Sequence, residues 1–209
     1  ALECFQRSLD VRQKLGNLYE IGQSLTNMGT ALSCLERWSD AEVRYKEARE
    51  IQERIGDRYG KAHTLQDLAW LYLDRGQMKA AKATFLNVLE HCEQIKDRIG
   101  VALVHGGLGT LYQRQEQWNE ALDHLKQSAD LCEEVGAYVF LPQTYEALAQ
   151  VYLGLGQILD ALVEFTASEA CLESICSDQF YNWTGVEPIE DAGYDPIRRL
   201  IQGLGYTEE

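Results

Sequence analysis

The residues with most chemical potential in this chain are its six cysteines, at positions 4, 34, 92, 132, 171 and 176. Thiolates bind zinc and act as nucleophiles, but both uses need a set of groups at a suitable spacing. No pair forms Cys-x-x-Cys, and no spacing matches a zinc site. They read as small, reduced packing residues of a cytoplasmic protein. His105-Gly106-Gly107-Leu108-Gly109 contains a G-x-G fragment. A phosphate-binding loop follows a strand, whereas this run lies inside a helical period. No Ser/His/Asp or Cys/His set is indicated, and the acidic pair Glu133-Glu134 reads as a solvated face. Asn182-Trp183-Thr184 matches a glycosylation acceptor, but no secretory signal accompanies it. The expectation is a protein that is not an enzyme and has neither metal nor cofactor. What remains is the chemistry of recognition.

The balance of charge narrows the partner. The net charge is −14. Residues 1–114 carry 16 Lys/Arg against 15 Asp/Glu, and residues 115–209 carry 3 against 18. Phosphate contacts need Lys and Arg, so nucleic acid is not expected. An acidic half permits a partner that is basic towards it. No apolar run approaches the roughly 20 residues that span a bilayer, so no membrane association is expected. The chain opens ALECFQRSLDVRQ, an amphipathic stretch without an initiator Met, and reads as a fragment of a longer polypeptide.

The elements that position any binding residue come from a repeat of 40 residues. Units run 17–56, 57–96, 97–136 and 137–176, and residues 1–16 fit the second half of an earlier unit. One column holds Ala1, Ala41, Ala81, Ala121 and Ala161, followed four residues later by Phe5, Tyr45, Phe85, Leu125 and Phe165. Another holds Gly29, Ala69, Gly109 and Ala149, preceded by Met28, Leu68, Leu108 and Leu148 and followed three later by Leu32, Tyr72, Tyr112 and Tyr152. Both have helical period, so each unit reads as a pair of helices whose small residues allow close approach. In unit one, helix A is expected over Tyr19–Arg37 and helix B over Asp40–Ile55. Ser39-Asp40-Ala41-Glu42 between them reads as a capping box. Glycines 76 and 156 suit the ends of helix A, with Glu116 making a less marked turn in unit three. Glycines 16, 56 and 136 suit the ends of helix B, and Asp57 and Asp97 the caps that follow. Trp38, Met78, Trp118 and Ile158 form a column beside the turn that reads as core, and His105 reads as a core or rim residue.

On these columns the chain resembles the tetratricopeptide repeat family. The usual unit there has 34 residues. The 40-residue form, with G-D-R-x-G-x-A at unit junctions as in Gly56–Ala62, is similar to arrays of spindle-orienting G-protein regulators, kinesin light chains and bacterial signalling ATPases and transcription regulators. The resemblance covers residues 1–176. It implies an all-α fold, a right-handed α-solenoid of stacked antiparallel helix pairs. Helix A would line the concave surface, presenting Gln23, Thr26, Asn27, Thr30 and Cys34 in unit one. Unit two would present His63, Gln66, Asp67, Trp70 and Asp74, and unit three Leu103, Gly106, Gly107, Thr110 and Arg114. Unit four would present Gln143, Glu146, Ala147, Gln150 and Gly154. Gly106 and Gly107 would make the groove widest in unit three.

The peptide-binding set implied is Gln23, Asn27, Thr30, His63, Asp67, Trp70, Asp74, Thr110, Arg114 and Gln150. Asn27 stands where similar arrays hold the backbone of a bound peptide, since an amide offers both donor and acceptor. The equivalents Asp67, Gly107 and Ala147 break the asparagine ladder. Trp70 suits stacking on a ligand side chain or packing on a neighbouring helix. Arg114 suits an acidic group, and Asp67 and Asp74 a basic one. The Lys, Asn and Arg set that clamps a terminal carboxylate is not matched. The expected function is an interaction scaffold that binds a protein or peptide segment in the groove. The alternative is an effector-sensing domain of a larger signalling or transcription-regulating protein. After Cys176, residues 177–194 read as a loop or extended segment, and Asp195–Leu204 as a short helix. Its apolar face, Ile197, Leu200, Ile201 and Leu204, predicts a cap on the last pair, or else a stand-in ligand in its own or a neighbouring groove, a route to self-association.

Overall fold

A computed structural model describes the backbone of residues 2–184 and the side chains of residues 5–172. Helices α1 (Leu2–Leu15), α2 (Leu18–Cys34), α3 (Trp38–Ile55), α4 (Arg58–Asp74) and α5 (Met78–Ile95) belong to a first compact unit that ends at Gly107. Helix α6 (Arg98–Arg114) carries the chain into a second unit, from Leu108, with α7 (Trp118–Glu134), α8 (Leu141–Gly154) and α9 (Ile158–Thr184). In the first unit α2 packs on α3, α4 packs on α5, and α2 also touches α4. In the second, α8 lies against both α7 and α9. Among the described residues there is no strand, and no helix is long and apolar enough to cross a membrane.

The repeat columns are the core. Ala41, Ala81, Ala121 and Ala161 are fully buried, as are Tyr45, Phe85 and Leu125, while Phe165 is half-buried. Gly29 and Gly109 are small because of these neighbours. A β-carbon on Gly29 would meet the Tyr45 ring at 2.6 Å, and one on Gly109 would meet Leu125 at 2.5 Å. Cys92 and Cys132 are buried among them, and burial pushes the Cys92 thiol up to about 11. Cys34 departs from the packing expectation, being exposed at the last turn of α2. Trp118 is half-buried rather than core; its ring covers the backbone at Gly154, where a β-carbon would meet it at 2.7 Å.

Each helix from α1 to α8 is ended by one residue in the left-handed region. Gly16, Gly56, Gly76, Gly136 and Gly156 do this without steric cost, and Glu36, Lys96 and Glu116 do it with φ of 57° to 58°. These positions recur every 20 residues. From Glu36 onward, the next N–H reaches back over the helix end, as from Asp57 to the Gln52 carbonyl at 2.9 Å and from Gln117 to the Tyr112 carbonyl at 3.0 Å. This closes the free carbonyls of the last turn. The turn with Glu116 is therefore built like its glycine counterparts.

The helix starts alternate in kind. Helix A begins with a side-chain cap: Asn17 Oδ1 accepts from the Glu20 N–H at 3.3 Å, and Asp57 and Asp97 accept from Gly60 and Gly100, each at 2.9 Å. Helix B begins without one at Arg37, Gln77 and Gln117. The capping box expected at Ser39 is thus corrected. Helix α3 starts at Trp38, which puts Ser39 inside the first turn, and Arg37 instead pairs with Asp40 at 2.6 Å. In the fourth repeat a 3-10 turn over Tyr138–Phe140 precedes α8, which has Pro142 in its first turn.

A second correction concerns the end of the array. Helix α9 is 27 residues long and continues to Thr184, so residues 177–184 are helical rather than a loop. SDQFYNWT contains neither Gly nor Pro; Gly185 and Pro188 come only afterwards. The short helix expected over Asp195–Leu204, with Ile197, Leu200, Ile201 and Leu204, lies outside the described residues.

Candidate peptide-binding face

Helices α2 and α4 are consecutive A helices, and polar side chains link them. Thr30 Oγ1 donates to Asp67 Oδ2 at 3.1 Å and accepts from the Tyr45 hydroxyl at 3.2 Å. His63, one turn before Asp67 on α4, brings Nδ1 to 3.8 Å from the same carboxylate oxygen. Three residues expected in the site, Thr30, His63 and Asp67, therefore form one cluster. Burial pushes the Asp67 carboxyl above its ordinary range, against the opposing pull of His63 and the Thr30 hydrogen bond.

Asn27 stands one turn before Thr30 on α2. It is exposed, and its amide makes no hydrogen bond among the described residues. Gln23, a further turn back, is exposed and donates to the Tyr19 hydroxyl at 3.0 Å. Trp70, one turn after Asp67, is half-buried and packs edge-on against Phe85, with ring centroids 5.6 Å apart and planes at 88°. Part of the indole is thereby fixed and part is open. Asp74 is exposed at the end of α4.

Two positions of the expected lining turn inward. Thr26 is buried, and its hydroxyl meets that of Thr64 at 2.7 Å. Gly107 is buried too, because a β-carbon there would run into the Phe85 ring. It is a packing glycine, and the reading that it widens a groove is corrected.

In the second unit, Thr110 is half-buried and Arg114 exposed on α6, and Gln150 is exposed on α8. Gln113 Nε2 donates to Gln150 Oε1 at 2.7 Å, so the two A helices of this unit are also joined by a polar bridge. Sequence reasoning left out Gln113 and Tyr45. Gln113 lies one position off the expected phase. Tyr45 belongs to the packing column, and only its hydroxyl, absent from Phe85 and Leu125, signals a second role.

The family model for the tetratricopeptide repeat matches residues 1–54, 20–94, 71–134 and 99–174. These overlapping matches cover most of the chain, which belongs to the tetratricopeptide repeat family. A search of curated proteins finds no match. Among solved structures the chain is similar to BtubC (BKLC) from P. vanneervenii, at 18% identity and TM-score 0.61, over 92% of this chain and 85% of that one. It is similar to aspartyl phosphate phosphatase F from Bacillus subtilis, at 18% identity and TM-score 0.75, over 95% of this chain and 52% of that one. It is also similar to the apo form of RapI, at 15% identity and TM-score 0.72, over 97% and 53%. The chain thus spans about half the length of the latter two, and at these identities the likeness is one of fold.

Proposed function

We propose that the chain holds an extended segment of another protein, or of its own polypeptide, across the faces of its A helices. Membership of the tetratricopeptide repeat family makes it a protein-interaction scaffold. One observation carries the groove reading. On α2 the exposed Asn27 amide has no partner among the described residues, beside the Thr30–Asp67–His63 cluster. Its donor and acceptor match a peptide group, and Trp70 offers an aromatic surface two turns of α4 from His63. In the second unit, Thr110, Arg114 and Gln150 are the corresponding A-helix residues. The acidic composition of residues 115–209 favours a partner that is basic towards that half.

Capture of binding peptides from a displayed library on the immobilised chain tests this. Asn27→Ala, Trp70→Ala and Arg114→Ala should each lose captured peptides, the first and the last while melting as the parent does. Retention of every peptide by all three variants places binding elsewhere.

A further inference from the structure

Asp67 and Glu42 are carboxylates of nearly equal exposure, with side chains 23% and 22% accessible. Their surroundings are opposite. Glu42 holds Lys46 at 2.7 Å and Arg75 at 2.9 Å and accepts from the Tyr72 hydroxyl at 3.1 Å. These groups keep its carboxyl below the ordinary range. Asp67 has Thr30 and the largely exposed His63, and among the described residues no Lys or Arg pairs with it. Nor is a cation close by in sequence. Helix α2 contains no Lys or Arg, and those of α4, Arg58 and Lys61, lie in its first turn, with Lys61 engaged by Glu53 at 3.1 Å. An anion this desolvated, with the solvent-exposed His63 as its one cationic neighbour among the described residues and no Lys or Arg beside it, is costly to the fold unless a ligand supplies a permanent positive charge.

Trp70 gives the missing cation a shape. It follows Asp67 by three residues, so both side chains share a face of α4, and Phe85 holds the indole edge-on. A guanidinium is planar, so it pairs with a carboxylate through parallel N–H groups while its face lies flat against an indole; an ammonium meets the carboxylate and the ring only as a point charge, without the fork or the flat face. We propose that Asp67 and Trp70, with Thr30 orienting the carboxylate, form a subsite for an arginine side chain of the bound segment. This rests on the groove reading and adds what the groove selects. Asn27, on the neighbouring helix, takes the backbone of the same segment.

The test uses the whole chain and two probes, N-acetyl-arginine methylamide and its neutral isostere N-acetyl-citrulline methylamide, followed by amide and indole NMR. The arginine probe should shift the Trp70 indole and the Thr30 and Asp67 amides saturably, about tenfold more tightly than citrulline. Asp67→Asn, which retains an oxygen for Thr30, should abolish that preference and leave the rest of the spectrum in place. Equal binding of the two probes, or a preference that survives Asp67→Asn, overturns the subsite. Peptides captured from a library separate this from the groove itself. Captured peptides that occupy the α2 and α4 face, lack arginine and ignore Asp67→Asn keep the groove and overturn the subsite. Peptides that all bind elsewhere, with the probes behaving as stated, overturn the groove and keep a cation site.

Discussion

The ring of Phe85 lies against the bare backbone of Gly107, one repeat further along the chain. In the preceding repeat the equivalent ring, Tyr45, lies against Gly29 of its own unit, and Asp67 occupies the place of Gly107. The aromatic column thus finds its space on either side, and a glycine marks which. Gly107→Ala should gain about 1 kcal/mol from helix propensity and lose about 1–3 kcal/mol by overpacking against a fully buried ring. A net loss is expected in urea unfolding. Phe85→Leu in the same chain should offset part of it, and a double-mutant cycle without coupling would contradict the contact.

The three non-glycine helix terminators make a second test. A left-handed conformation costs an ordinary residue about 1–2 kcal/mol, and glycine offsets part of that gain with its unfolded-state freedom. Glu36→Gly, Lys96→Gly and Glu116→Gly should each stabilise by up to about 1 kcal/mol. The two glutamates should gain more, because a negative charge at a helix C-terminus opposes the helix dipole while Lys96 favours it. Chemical denaturation of each variant would show this ordering, and a loss at Glu36 would refute it.

Capping gives a third. Asp57→Ala and Asp97→Ala should each cost about 1 kcal/mol, since each removes an observed hydrogen bond to a first-turn N–H. Ser39→Ala should stay within about 0.5 kcal/mol of the parent, because Ser39 is exposed inside α3 and caps nothing. Equal losses at Ser39 and Asp57 would restore the capping box.

The fourth concerns pH. Burial raises the Asp67 carboxyl above the ordinary value of 3.8. Between that value and the raised one the folded chain binds more protons than the unfolded chain, so this group's contribution to stability falls as pH rises through the window. The groups facing it are His63, whose charge pulls the carboxyl back down, the Thr30 hydroxyl and Tyr45. Asp67→Asn should melt above the parent at neutral pH, with the advantage shrinking on acidification through the raised value. An advantage independent of pH would mean that it comes from packing and not from charge.

The periodic columns made the helix pairs legible before any coordinate, because burial repeats wherever the chain repeats. Gly16, Gly56 and Asp57 were legible for the same reason: conformation and capping there are properties of single residue types. Phase was less informative about the face. Thr26 and Gly107 share the register of exposed positions, but whether they turn inward depends on Thr64 and Phe85, residues about 20 to 40 positions away. The Thr30–Asp67 bond was hidden likewise, since each residue alone reads as a solvated polar group. Ser39 misled because a capping box is a local pattern, and the start of α3 is set one residue earlier, at Trp38.

The buried hydroxyl pair of Thr26 and Thr64 makes the first two repeats non-interchangeable with the rest. Gln52, 2% exposed, brings its amide to 3.5 Å from Thr26, so three polar side chains interlock, whereas the positions of Gln52 in the next two repeats hold Cys92 and Cys132. Forty residues on from Thr64 stands Val104, fully buried and with no hydroxyl to offer. Excising residues 57–96 would leave a sequence still in register but would set Thr26 opposite a valine. The array resembles beads on a string only in its period; a shortened or shuffled version needs its seam redesigned as well as its length.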